Sequence, residues 1–110
     1  AAAGVQLQLD VFWASLGAAD PVALLRQYAG RVASLHLKDN DPRTATTVDE
    51  GTVPQAAFVE VGSGAIDFPA ILAAAPAAGV RHVFVEQDHT PGDPVASLEK
   101  SYAYLSRLRG

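Results

Sequence analysis

The chain has 110 residues, 12 acidic and 8 basic side chains, a net charge of −4 and no cysteine. That length allows one domain with a small core, and the acid excess argues against nucleic acid, whose phosphates call for clustered Lys and Arg. The lack of cysteine excludes a disulfide framework, a thiolate metal site and a Cys nucleophile, and fits a cytoplasmic protein; no apolar run reaches the length of a membrane span, and no signal-peptide pattern opens the chain.

Taken in order, Ala1-Ala2-Ala3-Gly4 reads as a helix end with Gly at the C′ position, and the chain as a C-terminal piece of a longer repeat protein. Val5–Asp10 is strand-like, with Gln6 and Gln8 alternating with apolar neighbours, and Phe12-Trp13 falls in the loop behind it. Asp20-Pro21 opens a helix over Val22–Tyr28, with Asp as cap and Pro as first helical residue; Gly30 ends it. Val32-Ala33-Ser34-Leu35-His36-Leu37-Lys38-Asp39 begins as a buried strand and ends in His, Lys and Asp, which burial alone does not require. Asn40–Ala57 is too long for a passive connector and is expected to be a lid or a disordered excursion. Phe58–Val61 reads as a short strand and Gly62-Ser63-Gly64 as a turn. Asp67 caps a helix with Pro69 in its first turn and Ile71, Leu72 and Ala75 on one face; Gly79 stops it. Val80–Glu86 is the most strand-like run. Asp93-Pro94 opens the last helix, with Leu98, Tyr102 and Leu105 as its apolar stripe and Lys100, Arg107 and Arg109 towards its C-terminal end.

Strands alternating with helices imply a parallel sheet with right-handed crossovers. Each expected strand ends in a polar group, Asp10, His36, Glu60 and Glu86, at intervals of about 25 residues. Polar groups at every C-terminal strand end favour a barrel mouth over an open sheet, and Gly62-Ser63-Gly64 lacks the third glycine of a dinucleotide fingerprint. Asp10, His36 and Glu86 form an oxygen and nitrogen donor set suited to Mn²⁺, Mg²⁺, Co²⁺ or Zn²⁺. Three ligands leave positions for substrate oxygens, and Glu86 can move a proton between neighbouring carbons. Plainer readings stand beside these. Asp10 also suits a helix cap, His36 a satisfied core histidine and Trp13 a core aromatic, although an indole can wall a sugar-sized pocket. Lys38 and Asp39 are either substrate contacts or a rim salt bridge, Glu60 a substrate or structural contact, and Asp88 and His89 solvated loop residues.

The runs Leu9-Asp10-Val11-Phe12-Trp13, Gly17, Asp20-Pro21, His36-Leu37-Lys38-Asp39, Glu60-Val61-Gly62-Ser63-Gly64-Ala65-Ile66-Asp67-Phe68 and Val85-Glu86-Gln87-Asp88 resemble, in this order, the second half of the xylose-isomerase-like TIM barrels, and more narrowly the sugar phosphate isomerase/epimerase family. The resemblance implies an α/β fold, strands five to eight and their helices of a (β/α)₈ barrel, with residues 1–110 a partial domain that lacks the N-terminal half. It implies one divalent metal held from strands four, five, six and eight. Asp10, His36 and Glu86 match the last three ligands, while the first Glu has no counterpart here. It further implies a small sugar or polyol as substrate, and catalysis by a pair of glutamates of which this chain carries only Glu86. The chain alone is then expected to be inactive. Trp13 stands where many members carry His, which leaves the sugar open. The alternatives are a metal-dependent dehydratase or lyase acting on a keto-sugar or inositol derivative, and a non-catalytic half-barrel. Open strand edges imply pairing with the missing half-barrel or a homo-oligomer.

Overall fold

The computed structural model describes residues 5–108; the expected helix end at Ala1–Gly4 and the Arg109 charge lie outside that range. In chain order the elements are β1 (Leu7–Asp10), α1 (Val11–Leu16), α2 (Pro21–Gln27), β2 (Val32–Leu37), β3 (Asp39–Asn40), β4 (Phe58–Val59), α3 (Phe68–Ala78), β5 (His82–Val85) and α4 (Pro94–Leu108). Asp20 caps α2, its carboxylate accepting from the Val22 N–H, and Asp67 caps α3 by accepting from the Ala70 N–H. Both helices carry Pro in the first turn, where the missing N–H costs nothing. Among the described residues no helix is long and apolar enough to cross a membrane.

β1, β2 and β5 form a parallel sheet with β2 in the middle. Parallel strands need crossovers, and here the α1–α2 pair and α3 supply them. Asp10 stands opposite His36, and His36 opposite Phe84. The period-2 alternation therefore puts Asp10, His36 and Phe84 on one face and Leu35 and Leu37 on the other. Leu35 and Leu37 are fully buried and pack with Val11, Leu25, Phe68 and Ile71 against the helices. The other face is open, and Phe84 is half exposed.

Four expectations are corrected. Phe58–Val61 does not supply a fourth parallel strand. β4 pairs antiparallel with β3, Asp39 opposite Val59 and Asn40 opposite Phe58, so β2 lies directly beside β5. The cause is Asp39: its buried carboxylate accepts from the N–H groups of Gly62, Gly64 and Ile66, which pulls the segment after β4 over the end of β2. Phe12-Trp13 is helical, because the Asp10 carboxylate caps α1 through the Trp13 N–H. The buried face of α4 is only partly the apolar stripe: Leu105 packs against the core, but Leu98 and Tyr102 are exposed. Ser97 and Ser101 are buried, while Tyr102 is 74 % exposed. Ser101 Oγ accepts from the Val61 N–H at 3.0 Å, and Ser97 Oγ donates to Glu60 Oε2 at 2.7 Å, so hydrogen bonds set the orientation of this helix. Finally, the 40–57 segment is not a disordered excursion but a packed loop. It contains two 3₁₀ turns, Glu50–Thr52 and Gln55–Ala57. The Thr47 N–H donates to the Leu16 carbonyl, Ala57 is buried with Phe12 and Leu16, and Phe58 stacks on Phe12 at 4.7 Å.

Candidate active site

The strand ends bring three of the expected groups together. One donor atom from each of Asp10, His36 and Glu86 lies within 4.8 Å of the other two. His36 Nδ1 is 2.8 Å from Glu86 Oε1 and 3.9 Å from Asp10 Oδ2. Local structure explains each placement. Asp10 ends β1 and divides its oxygens: Oδ1 caps α1, and Oδ2 faces the cluster. His36 is carried by the central strand. The Glu86 N–H donates to the Leu37 carbonyl, which continues the β2–β5 ladder and keeps Glu86 on the His36 face.

Lys38 joins the cluster from the same face. Its Nζ lies 3.1 Å from Asp10 Oδ2, 3.4 Å from Glu86 Oε1 and 2.8 Å from Asp88 Oδ1. The same ammonium stands 5.7 Å from the centre of the Trp13 ring, within cation–π range. Burial of Lys38 works to lower its pKa, but hydrogen bonds to Asp88 and Asp10, and the charges of both, outweigh it and leave the value above the ordinary 10.5. Lys38 is therefore charged at neutral pH.

Trp13 borders the cluster through Lys38 and is held by edge contacts to Phe12 and Phe58. Asp88, expected as a solvated loop residue, is instead an ion-pair partner of Lys38. Asp39 is not at the site. It is completely buried, and makes no ion pair with Lys38, because its carboxylate is taken up by backbone N–H groups. Glu60 sits one shell out. The Ser97 hydroxyl lies between Glu60 Oε2 and Gln87 Oε1, which links Glu60 to the residue after Glu86. That hydroxyl is the main cause of a Glu60 pKa below the usual 4.5. Ser97 and Gln87 were missed from the sequence. The only available signal was a serine at a helix position where the apolar stripe should have packed.

No family model matches the sequence. It is 29 % identical to the rhizopine catabolism protein MocC of Rhizobium meliloti, aligned over 94 % of this chain and 35 % of that one. Two sugar phosphate isomerase/epimerases from Parabacteroides distasonis have the same fold over 92 % of this chain. One superposes with a TM-score of 0.70 at 32 % identity, the other with 0.67 at 26 %. In sequence and fold the chain is thus similar to one part of these sugar phosphate isomerase/epimerases. It spans about a third of the length of these relatives. An eight-fold barrel closes with eight parallel strands; this chain supplies a parallel sheet of three, β1, β2 and β5. The charged cluster lies at their C-terminal ends, the catalytic face of such barrels.

Proposed function

We propose that this chain contributes the metal-binding strand ends of a sugar isomerase or epimerase, acting in the cytoplasm and completed by the remainder of a barrel. The observation that carries this reading is the mutual approach of Asp10, His36 and Glu86 within 4.8 Å. Two carboxylates and an imidazole at that spacing fit a divalent cation such as Mn²⁺, Mg²⁺, Co²⁺ or Zn²⁺. When bound, such an ion supplies Lewis-acid polarisation of a substrate carbonyl or hydroxyl.

The other steps belong to the chain's own residues. Glu86, the most accessible of the three, would take or return a proton at a substrate carbon. His36 Nδ1, at 2.8 Å, fixes the orientation of that carboxylate. Trp13 offers an aromatic face for the apolar side of a sugar or polyol. Lys38 holds Asp10, Glu86 and Asp88 at one level of the mouth. Transfer between two carbons calls for a second base, which the rest of the barrel would bring. The isolated chain is therefore expected to bind without turning over. The MocC similarity favours a small catabolic substrate.

The test is solvent exchange. A complete barrel containing this chain, loaded with Mn²⁺ in deuterated water, should incorporate deuterium into a ketose. Exchange that persists in metal-free protein would refute the mechanism, and a deoxy-keto product would reveal a dehydratase instead.

A further inference from the structure

Around the strand-end cluster, the groups that would attract an anion are filled by the chain's own carboxylates. An ammonium has three N–H donors, and Lys38 faces three carboxylates, those of Asp10, Glu86 and Asp88. The Gly62-Ser63-Gly64 loop has the form of an anion nest, but the N–H groups of Gly62, Gly64 and Ile66 converge on Asp39 at 3.0, 2.9 and 3.1 Å. Helix N-termini ordinarily suit phosphate. Here Asp10, Asp20 and Asp67 cap α1, α2 and α3, and Asp93 accepts from the Val95 N–H at the start of α4. Arg43, next to the mouth in sequence, is held by Asp41 through two contacts of 2.8 and 2.9 Å. Barrels of this architecture commonly hold phosphate in the loops after their last strands and at a nearby helix N-terminus. In this chain those positions already carry negative charge.

We propose that the site selects a neutral sugar or polyol and discriminates against its phosphate ester. The inference rests on the strand-end cluster being the substrate site, and it adds the charge class of the ligand. A phosphate dianion would enter against Asp10, Glu86 and Asp88 and find Lys38 already committed to them. A neutral polyol brings hydroxyls that donate to those carboxylates and lays its carbon face on Trp13.

The experiment compares dissociation constants of D-fructose and D-fructose 6-phosphate for the complete barrel by calorimetry, with and without Mn²⁺, and with inorganic phosphate as competitor. The phosphate ester is expected to bind no tighter than the neutral sugar, and millimolar phosphate to leave fructose binding unchanged. Asp88→Asn, which removes one carboxylate and releases part of Lys38, is expected to improve binding of the ester by about tenfold relative to the neutral sugar. Lys38→Met in the same background should abolish that gain. Ester binding tighter than sugar binding in the unaltered protein would overturn the proposal, as would an Asp88→Asn variant whose preference does not move. Failure of Mn²⁺ to bind would sink the metal reading alone, because the neutral-to-ester ratio is also read on metal-free protein.

Discussion

The two oxygens of Asp10 are committed to different partners, Oδ1 to the Trp13 N–H and Oδ2 to the Lys38 ammonium. The cap and the ligand are therefore not competing readings of this residue. Its capping bond restricts the carboxylate so that the second oxygen points into the mouth. His36 has no such structural duty: its ring is part-exposed and faces Glu86 rather than the core. His36→Ala should leave the melting temperature nearly unchanged and weaken Mn²⁺ binding by ~10-fold or more, since loss of even an outer partner of a ligand costs that much. Calorimetry and thermal melts on the same sample decide it, and an unfolded variant would make His36 a core residue. Glu60 supplies a pH prediction. Its folded pKa is below the usual 4.5, chiefly because of the Ser97 hydroxyl. Its contribution to stability is then complete at neutral pH, begins to fall as the pH drops past 4.5, and is gone below the folded value. Ser97→Ala should flatten this loss, and denaturant melts between about pH 5 and pH 3 measure it.

At the scale of elements, the loop over residues 62–66 is organised by a single buried side chain. Asp39 accepts from four N–H groups, those of Asn40, Gly62, Gly64 and Ile66. Asp39→Ala would strand them, at a cost of roughly 3 kcal/mol or more. Gly64→Ala should also destabilise, because its Cβ would meet the Asn40 carbonyl oxygen and the Asp39 carboxylate. Urea titration of both variants checks this, and wild-type midpoints would show that the loop is held by other contacts. The convergence of Asp10, His36 and Glu86 was legible in the sequence because each interrupts an apolar run at a strand end. The starts of α2 and α4 were legible from Asp-Pro pairs. Asp39 was not, since a carboxylate serving backbone N–H groups leaves no trace in residue spacing. The orientation of α4 was hidden for a similar reason. Leu98, Tyr102 and Leu105 form the better apolar stripe, but Ser97 and Ser101 find specific partners in Glu60 and Val61, and the helix turns to meet them, leaving Leu105 packed on the core and Leu98 and Tyr102 exposed. Phe58–Val61 has a strand-like composition, yet the pull of Asp39 on the residues that follow turns it against β3.

For the whole molecule, the open face matters most. Among the described residues, β1 and β5 each pair on one side only, and Val83 and Phe84 are half exposed. Unpaired strand edges beside apolar surface promote association. The isolated chain should self-associate, and light scattering should show a mass above the 11.5 kDa of a monomer. A monodisperse folded monomer would mean that the edges are protected. Adding the rest of the barrel should suppress the association by closing the sheet.

The packing of Phe12, Trp13 and Phe58 has a practical outcome. The protein has one tryptophan, and its indole neighbours both the Lys38 ammonium and, through edge contacts, the Phe12–Phe58 stack. Fluorescence from that single ring is thus an intrinsic reporter for two events: a ligand that displaces the ammonium, and any undocking of the segment that ends at Phe58. Phe58→Leu should shift the emission maximum without touching Asp10, His36 or Glu86, so the two signals can be told apart in one cuvette.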